Sequence, residues 1–257
     1  MTVMESAVDT RTVLAEPFET KVLVRGEGPP LLYLHSQYGL RWTLLLETLS
    51  EAYTVYAPEV AGEEATLERL DDMLDLLTYL NDVLDALGLD RTSVVAHSLG
   101  AALAAELAAI NPGRVERLVL LSPLGVWSES DPVADLVGEL PTTRVSRLFV
   151  DAEGDDAAEW LAGLMSADRV YFRAMRGYSH WYWPLSDAGL RKRVHRISAP
   201  TLIVHGEADG LTTPRYAEEF AGLIPGATVA SIAGTSHMLA EQPDEAARLA
   251  LGHLQQS

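Results

Sequence analysis

The chain reads as an α/β protein: a doubly wound, mostly parallel sheet with helices on both faces, interrupted by a helical insertion. Two observations carry this. Short apolar runs suited to buried strands alternate with segments of helical periodicity along most of the 257 residues. Between Ser122 and about Ser198 the alternation stops. Helical patches, glycines, prolines and most of the tryptophans (Trp127, Trp160, Trp181, Trp183) take its place, and alternation resumes at Thr201.

In chain order, Phe18–Val24 alternates weakly and is followed by the turn cluster Gly26-Glu27-Gly28-Pro29-Pro30. Leu31–Leu34 is a short apolar strand, Arg41–Leu49 is helical, and Tyr53–Ala57 is a strand stopped by Pro58. From Thr66 to Leu87 leucines recur at helical spacings, which predicts an amphipathic helix ended by Gly88. A strand through Ser93–His97 leads into an Ala-rich helix that closes at Asn111-Pro112-Gly113. Val115–Leu121, Thr201–Val204 and Thr228–Ile232 are further strands, and Pro214–Leu223 and Asp244–Gln255 are helices.

Composition narrows the function classes. With 48% hydrophobic and 22% charged residues the chain can bury a sizeable core. Its 37 acids against 19 bases leave a net charge of −18, which argues against nucleic acid or anionic lipid as partner. There is no cysteine, so this chain can form no disulfide and offer no thiolate. The stretch Met1–Glu16 carries Glu5, Asp9 and Arg11 where a signal peptide would need an apolar core, so a cytoplasmic location is expected. His180, His195, His205 and His253 show no ligand spacing, so no metal is expected.

The most informative run is Val94-Val95-Ala96-His97-Ser98-Leu99-Gly100-Ala101. A β-branched strand, a tight turn and a helix put Ser98 in a strained backbone with its hydroxyl pointing outward, flanked by the small residues Ala96 and Gly100. The helix start aims unpaired N–H groups at charge developing beside Ser98. A serine can also simply cap a helix. Two later loops favour chemistry. Asp209 follows the strand Thr201–Val204 and precedes Pro214, and His237 follows Thr228–Ile232 in Ala233-Gly234-Thr235-Ser236-His237. A nucleophile, an orienting acid and a base in that order, each after a strand, is the pattern of Ser-Asp-His hydrolysis. Glu207 competes with Asp209 and reads as a solvated loop charge. His35 and His97 read as packing and hydrogen-bonding neighbours.

From about Phe18 onward the chain resembles the capped α/β-hydrolases, with Ala96 in place of the first Gly of Gly-x-Ser-x-Gly. The resemblance implies an eight-stranded sheet with a helical cap inserted after the sixth strand. It divides the chain into an extension (1–16), a core (17–123 and 199–257) and a cap (124–198). It also implies an oxyanion hole. In Leu34-His35-Ser36-Gln37-Tyr38-Gly39, Gln37 takes the position whose N–H joins that of Leu99. The chain departs from the family pattern at Ser36, where the family has Gly, and at Val60-Ala61-Gly62-Glu63-Glu64-Ala65, where many relatives have Gly-x-Gly-x-Ser.

The implied activity is cofactor-free hydrolysis of a carboxylic ester or lactone of an apolar or aromatic small molecule through an acyl-enzyme. Two alternatives stand beside it: C–C bond hydrolysis of a diketone by the same triad, and a non-hydrolytic ligand-binding or cyclase-like role. His35, Ser36, Trp127, Trp181 and Trp183 are candidate substrate contacts. The cap aromatics, which include Tyr171, Phe172 and Tyr178, either fill the cap's own core or line the pocket. The expected partner is a small-molecule substrate, with neither nucleic acid nor membrane, and both a monomer and a homodimer are compatible with it.

Overall fold

The computed structural model describes residues 8–60, 69–134, 141–164, 176, 180–182 and 188–256. Its centre is β5 (Thr92–His97), in which every residue is buried. β3 (Pro30–Leu34) and β6 (Val115–Leu121) pair with it in parallel. β4 (Thr54–Pro58) extends the sheet on one side, and β7 (Thr201–Gly206) and β8 (Thr228–Ile232) on the other. With β1 (Asp9–Ala15) and β2 (Phe18–Arg25) the eight strands run in the order β1-β2-β4-β3-β5-β6-β7-β8. Only β2 runs against its neighbours, antiparallel to β1 and to β4.

β1 is a correction to the extension expected at 1–16. Asp9–Ala15 pairs along its whole length with Phe18–Val24. It is an edge strand, exposed on both faces except toward its end, so no alternation of apolar and polar residues marks it.

Side chains alternate across the sheet as the two-residue strand period requires. Val94 and Ala96 face a core built with α2 (Met73–Ala86), α3 (Leu99–Ile110) and α6 (Pro214–Leu223), whereas Val95 faces α1 (Leu44–Ser50) and α7 (Pro243–Leu254). α1 starts three residues later than its periodicity suggests, because Thr43 is extended. α2 also starts late, and this corrects the predicted start at Thr66. The Asp72 carboxylate accepts from Leu74 N and Asp75 N and fixes the first turn at Met73. Leu70 is buried ahead of the helix rather than in it. α3 is Ala-rich and almost wholly buried, and its small side chains let it lie close against the sheet. Its one acid, Glu106, is fully buried and meets Arg193, whose Nε lies 2.7 Å from Oε2.

Between β6 and β7 the described residues include α4 (Pro141–Leu148) and α5 (Asp155–Leu164). No helix among the described residues is long and apolar enough to cross a membrane.

Candidate active site

Ser98 follows β5 at φ 56°, ψ −119°, a conformation disfavoured for any residue with a Cβ. The backbone on either side holds it there. Ser98 N donates to Leu121 O at 2.9 Å, and Ser98 O accepts from Ala101 N at 3.0 Å and Leu124 N at 3.1 Å. Gly100 is required by packing. A Cβ there would lie 2.3 Å from His35 O and 2.5 Å from Leu34 O, so only glycine lets the helix start approach the end of β3.

The three residues expected to act together do meet. His237 Nε2 lies 2.8 Å from Ser98 Oγ, and His237 Nδ1 lies 2.8 Å from Asp209 Oδ2. A carboxylate only accepts, so Nδ1 carries the proton and Nε2 turns its lone pair toward the serine hydroxyl. The acid and base loops approach closely because of Gly206, where a Cβ would lie 2.2 Å from Thr235 O. Glu207, the rival acid, is exposed.

Asp209 is well supplied with donors. Oδ1 accepts from Leu211 N (2.8 Å) and Thr212 N (2.9 Å), and Oδ2 from Thr212 Oγ1 (2.9 Å). Burial alone would push its carboxyl up. The electrostatic pull of the His237 ring and its N–H, together with His205 and Thr212, outweighs burial and holds it below its ordinary value. His205 Nε2 lies 3.2 Å from Thr212 Oγ1, and burial holds this histidine below its ordinary value. His97 donates from Nε2 to His237 O at 2.9 Å, bracing the histidine from the other side.

A second layer ties the segment after β6 to both loops. Gly210 N donates to Arg147 O (3.0 Å), and Met238 N donates to Leu148 O (3.3 Å). The Glu241 carboxylate accepts from Val150 N (2.8 Å), Ser236 N (3.0 Å) and Ser236 Oγ (2.8 Å). Thr212 and Glu241 carry no motif, and only the folded loops assign them these positions.

The two residues expected to form the oxyanion pair, Gln37 and Leu99, meet through a side chain. Leu99 N–H points at the Gln37 side chain, whose Oε1 lies 3.4 Å away. Ser36, where a glycine was expected, causes no distortion because it does not adopt a positive φ. Its hydroxyl accepts from Tyr38 N (3.2 Å) and its carbonyl from Gly39 N (3.1 Å), so the serine itself closes the turn. The other departure, Val60–Ala65, lies outside the described residues beyond Val60.

A cavity of about 410 Å³ opens beside the site, bordered by Ser36, His97 and Met238, with Trp42, Phe149 and Trp160 among its apolar walls. The sequence-predicted contacts divide around it. Ser36 lines it, while the His35 ring turns to its own loop, Nδ1 lying 2.8 Å from Ser36 O. Trp127 is 40% exposed and lines neither this cavity nor the small one beside Leu99, which corrects its expected role. Trp181 is 6% exposed and donates to Leu70 O at 3.1 Å, a core anchor rather than a pocket wall. Trp183 lies outside the described residues, as do Tyr171, Phe172 and Tyr178. No sequence signal marks Trp42, Phe149 and Trp160 as cavity walls, because an aromatic residue looks the same in a cavity wall and in a core. Among the described residues no group of three or more His, Asp or Glu side chains is placed to hold a metal ion.

Comparison with known proteins places this arrangement. A model of the alpha/beta hydrolase family matches residues 22–249. The chain belongs to the alpha/beta hydrolases. Among curated relatives of this hydrolase, the 2-hydroxy-6-oxo-2,4-heptadienoate hydrolase of Pseudomonas putida is 30% identical over 217 residues, covering 77% of this chain and 79% of that protein. Carboxylesterase YbfK of Bacillus subtilis is 23% identical over 245 residues, covering 88% and 81%. The solved structure of 2-hydroxy-6-oxo-6-phenylhexa-2,4-dienoate hydrolase from Rhodococcus superposes with a TM-score of 0.79 at 15% identity, covering 97% of this hydrolase and 99% of that chain.

The buried histidines set the acid stability. Burial lowers His35 to about 4. Burial and the neighbouring His237 charge lower His97 to about 3. In the unfolded chain both titrate near 6.5. Below that pH the unfolded state binds protons that the folded state does not, so stability falls as pH falls, by about 1.4 kcal/mol per pH unit for each histidine. Asp209, held low, adds its own loss only below about pH 4. Urea midpoints should therefore be flat from pH 8 to 7 and drop steadily from about 6.5 to 4.5. A midpoint constant down to pH 5 would contradict the neutral, buried state of both rings.

Proposed function

We propose that this hydrolase is a serine hydrolase that cleaves a carboxylic ester or lactone of an apolar or aromatic small molecule. The observation that carries the reading is the buried chain Ser98 Oγ–His237 Nε2/Nδ1–Asp209 Oδ2, with both links at 2.8 Å. Ser98 Oγ attacks the carbonyl carbon as His237 Nε2 takes its proton. Asp209 holds the ring in the required tautomer and stabilises the imidazolium. The N–H groups of Gln37 and Leu99 receive the oxyanion. Collapse expels the alcohol with the proton from His237, and water, deprotonated by the same ring, releases the acid. His97 stays neutral beside the imidazolium, because burial and that charge both oppose its protonation. The segment 124–198 acts as the cap over the site. The cavity walls Trp42, Phe149 and Trp160 support an apolar acyl or leaving group.

A second reading, hydrolysis of a C–C bond in a vinylogous diketone, is favoured by the 30% identity to the heptadienoate hydrolase. The same three residues would serve it, with a carbon leaving group in place of the alkoxide. One panel separates the two: p-nitrophenyl esters of graded acyl length, a set of lactones, and a 2-hydroxy-6-oxo-dienoate. The ester reading expects the highest kcat/KM on medium-chain or aromatic esters. A diketone preferred by two orders of magnitude or more would replace it. Failure of a fluorophosphonate to label Ser98 would overturn both and leave a binding role.

A further inference from the structure

Gln37 holds a polar group that neither the fold nor the triad uses. The residue is 0% exposed. Because Leu99 N–H needs an acceptor, the end of the carboxamide facing it at 3.4 Å is Oε1. The geminal Nε2 is buried and has no hydrogen-bond partner among the described residues. A buried amide without a partner costs free energy and asks for an explanation. The location supplies one. Oε1 stands where a substrate carbonyl oxygen has to sit to receive the Leu99 N–H. For that oxygen to bind, the carboxamide has to turn aside, and its NH2 turns with it. The backbone need not move with it, since the Ser36 hydroxyl and carbonyl pin the turn on either side of Gln37.

Resting on the serine hydrolase reading, we propose that Gln37 Nε2 is a specificity-determining donor. It recognises acyl groups that carry a second acceptor oxygen two or three bonds from the carbonyl carbon, as in 2-alkoxy-, 2-oxo- or 3-oxoacyl compounds. A substrate of this class gives that amide a hydrogen-bond acceptor, and a simple alkanoyl group does not. Sites built to hydrogen-bond a substrate oxygen discriminate against analogues that lack it.

The test compares p-nitrophenyl methoxyacetate with p-nitrophenyl butanoate, which differ by one oxygen in place of a methylene. The ratio of their kcat/KM values is divided by the ratio of their hydroxide-catalysed rates, which removes intrinsic reactivity. Being internal to each protein, this ratio is insensitive to the fraction folded. The corrected ratio should be about five- to tenfold in the wild type, as for one neutral hydrogen bond. It should fall to about one in Gln37→Leu and Gln37→Met. A wild-type ratio near one, or a raised ratio that persists in both variants, overturns the assignment while the hydrolase reading stands. A gain in both variants that is equal on the two esters makes Gln37 a mere plug and also overturns it. No turnover of either ester, together with no fluorophosphonate labelling, removes the hydrolase reading and this one with it.

Discussion

Ser98→Ala is expected to lower kcat by about four to six orders of magnitude while leaving the thermal midpoint and substrate-analogue binding nearly intact. The loss comes from geometry: Ser98 Oγ is the hydroxyl that meets His237 Nε2, and without it only a residual rate enhancement is expected. Active-site titration and steady-state kinetics on the best substrate measure it. Activity above about a tenth of wild type, far more than removal of a nucleophile permits, would show that another group attacks. Ser98→Gly adds a complementary expectation. At φ 56° the serine backbone is strained, and glycine relieves roughly 1–3 kcal/mol of that strain. The dead variant should therefore melt higher than the wild type.

Asp209→Asn should cost about four orders of magnitude in kcat/KM with little change in structure. An asparagine side chain can keep its oxygen on Leu211 N and Thr212 N, the bonds now made by Oδ1. Its NH2 then faces His237 Nδ1, which has to become the acceptor. The ring proton moves to Nε2 and the serine loses its base. Glu207→Gln, at an exposed position two residues away, should change kcat/KM less than twofold. Reversed outcomes for the two variants would reassign the acid.

Most of the sheet and the three residues that meet at the candidate site, Ser98, Asp209 and His237, were legible because they depend on local chemistry. The elbow at Ser98 is written in consecutive residues, and Asp209 and His237 each come after an apolar strand. What escaped depends on packing or on weak local pattern. β1 is exposed on both faces and alternates no more than a loop does. The leucine spacing around Leu67–Leu74 continues through residues ahead of the helix, so it could not reveal that the Asp72 cap starts the helix at Met73. Trp181 and Trp160 are equally apolar in sequence, yet one anchors to Leu70 O and the other walls a cavity. The Gln37 carboxamide reaches Leu99 only because a loop and a helix start remote in sequence meet, and a position marked by its backbone N–H says nothing about its side chain.

The hydrogen bonds from residues 147–150 to the loops of Asp209 and His237 bear on chimeras of this fold. An insertion that touched only substrate could be exchanged between relatives like a fitted lid, changing selectivity and nothing else. Here the same backbone that precedes the cavity wall Trp160 also holds Gly210, Met238 and, through Glu241, Ser236. A graft that replaced residues 141–150 would therefore alter the reacting groups along with the pocket. Transplants that keep this stretch and vary only residues C-terminal to it should preserve turnover, so the natural boundary for recombination falls after Val150.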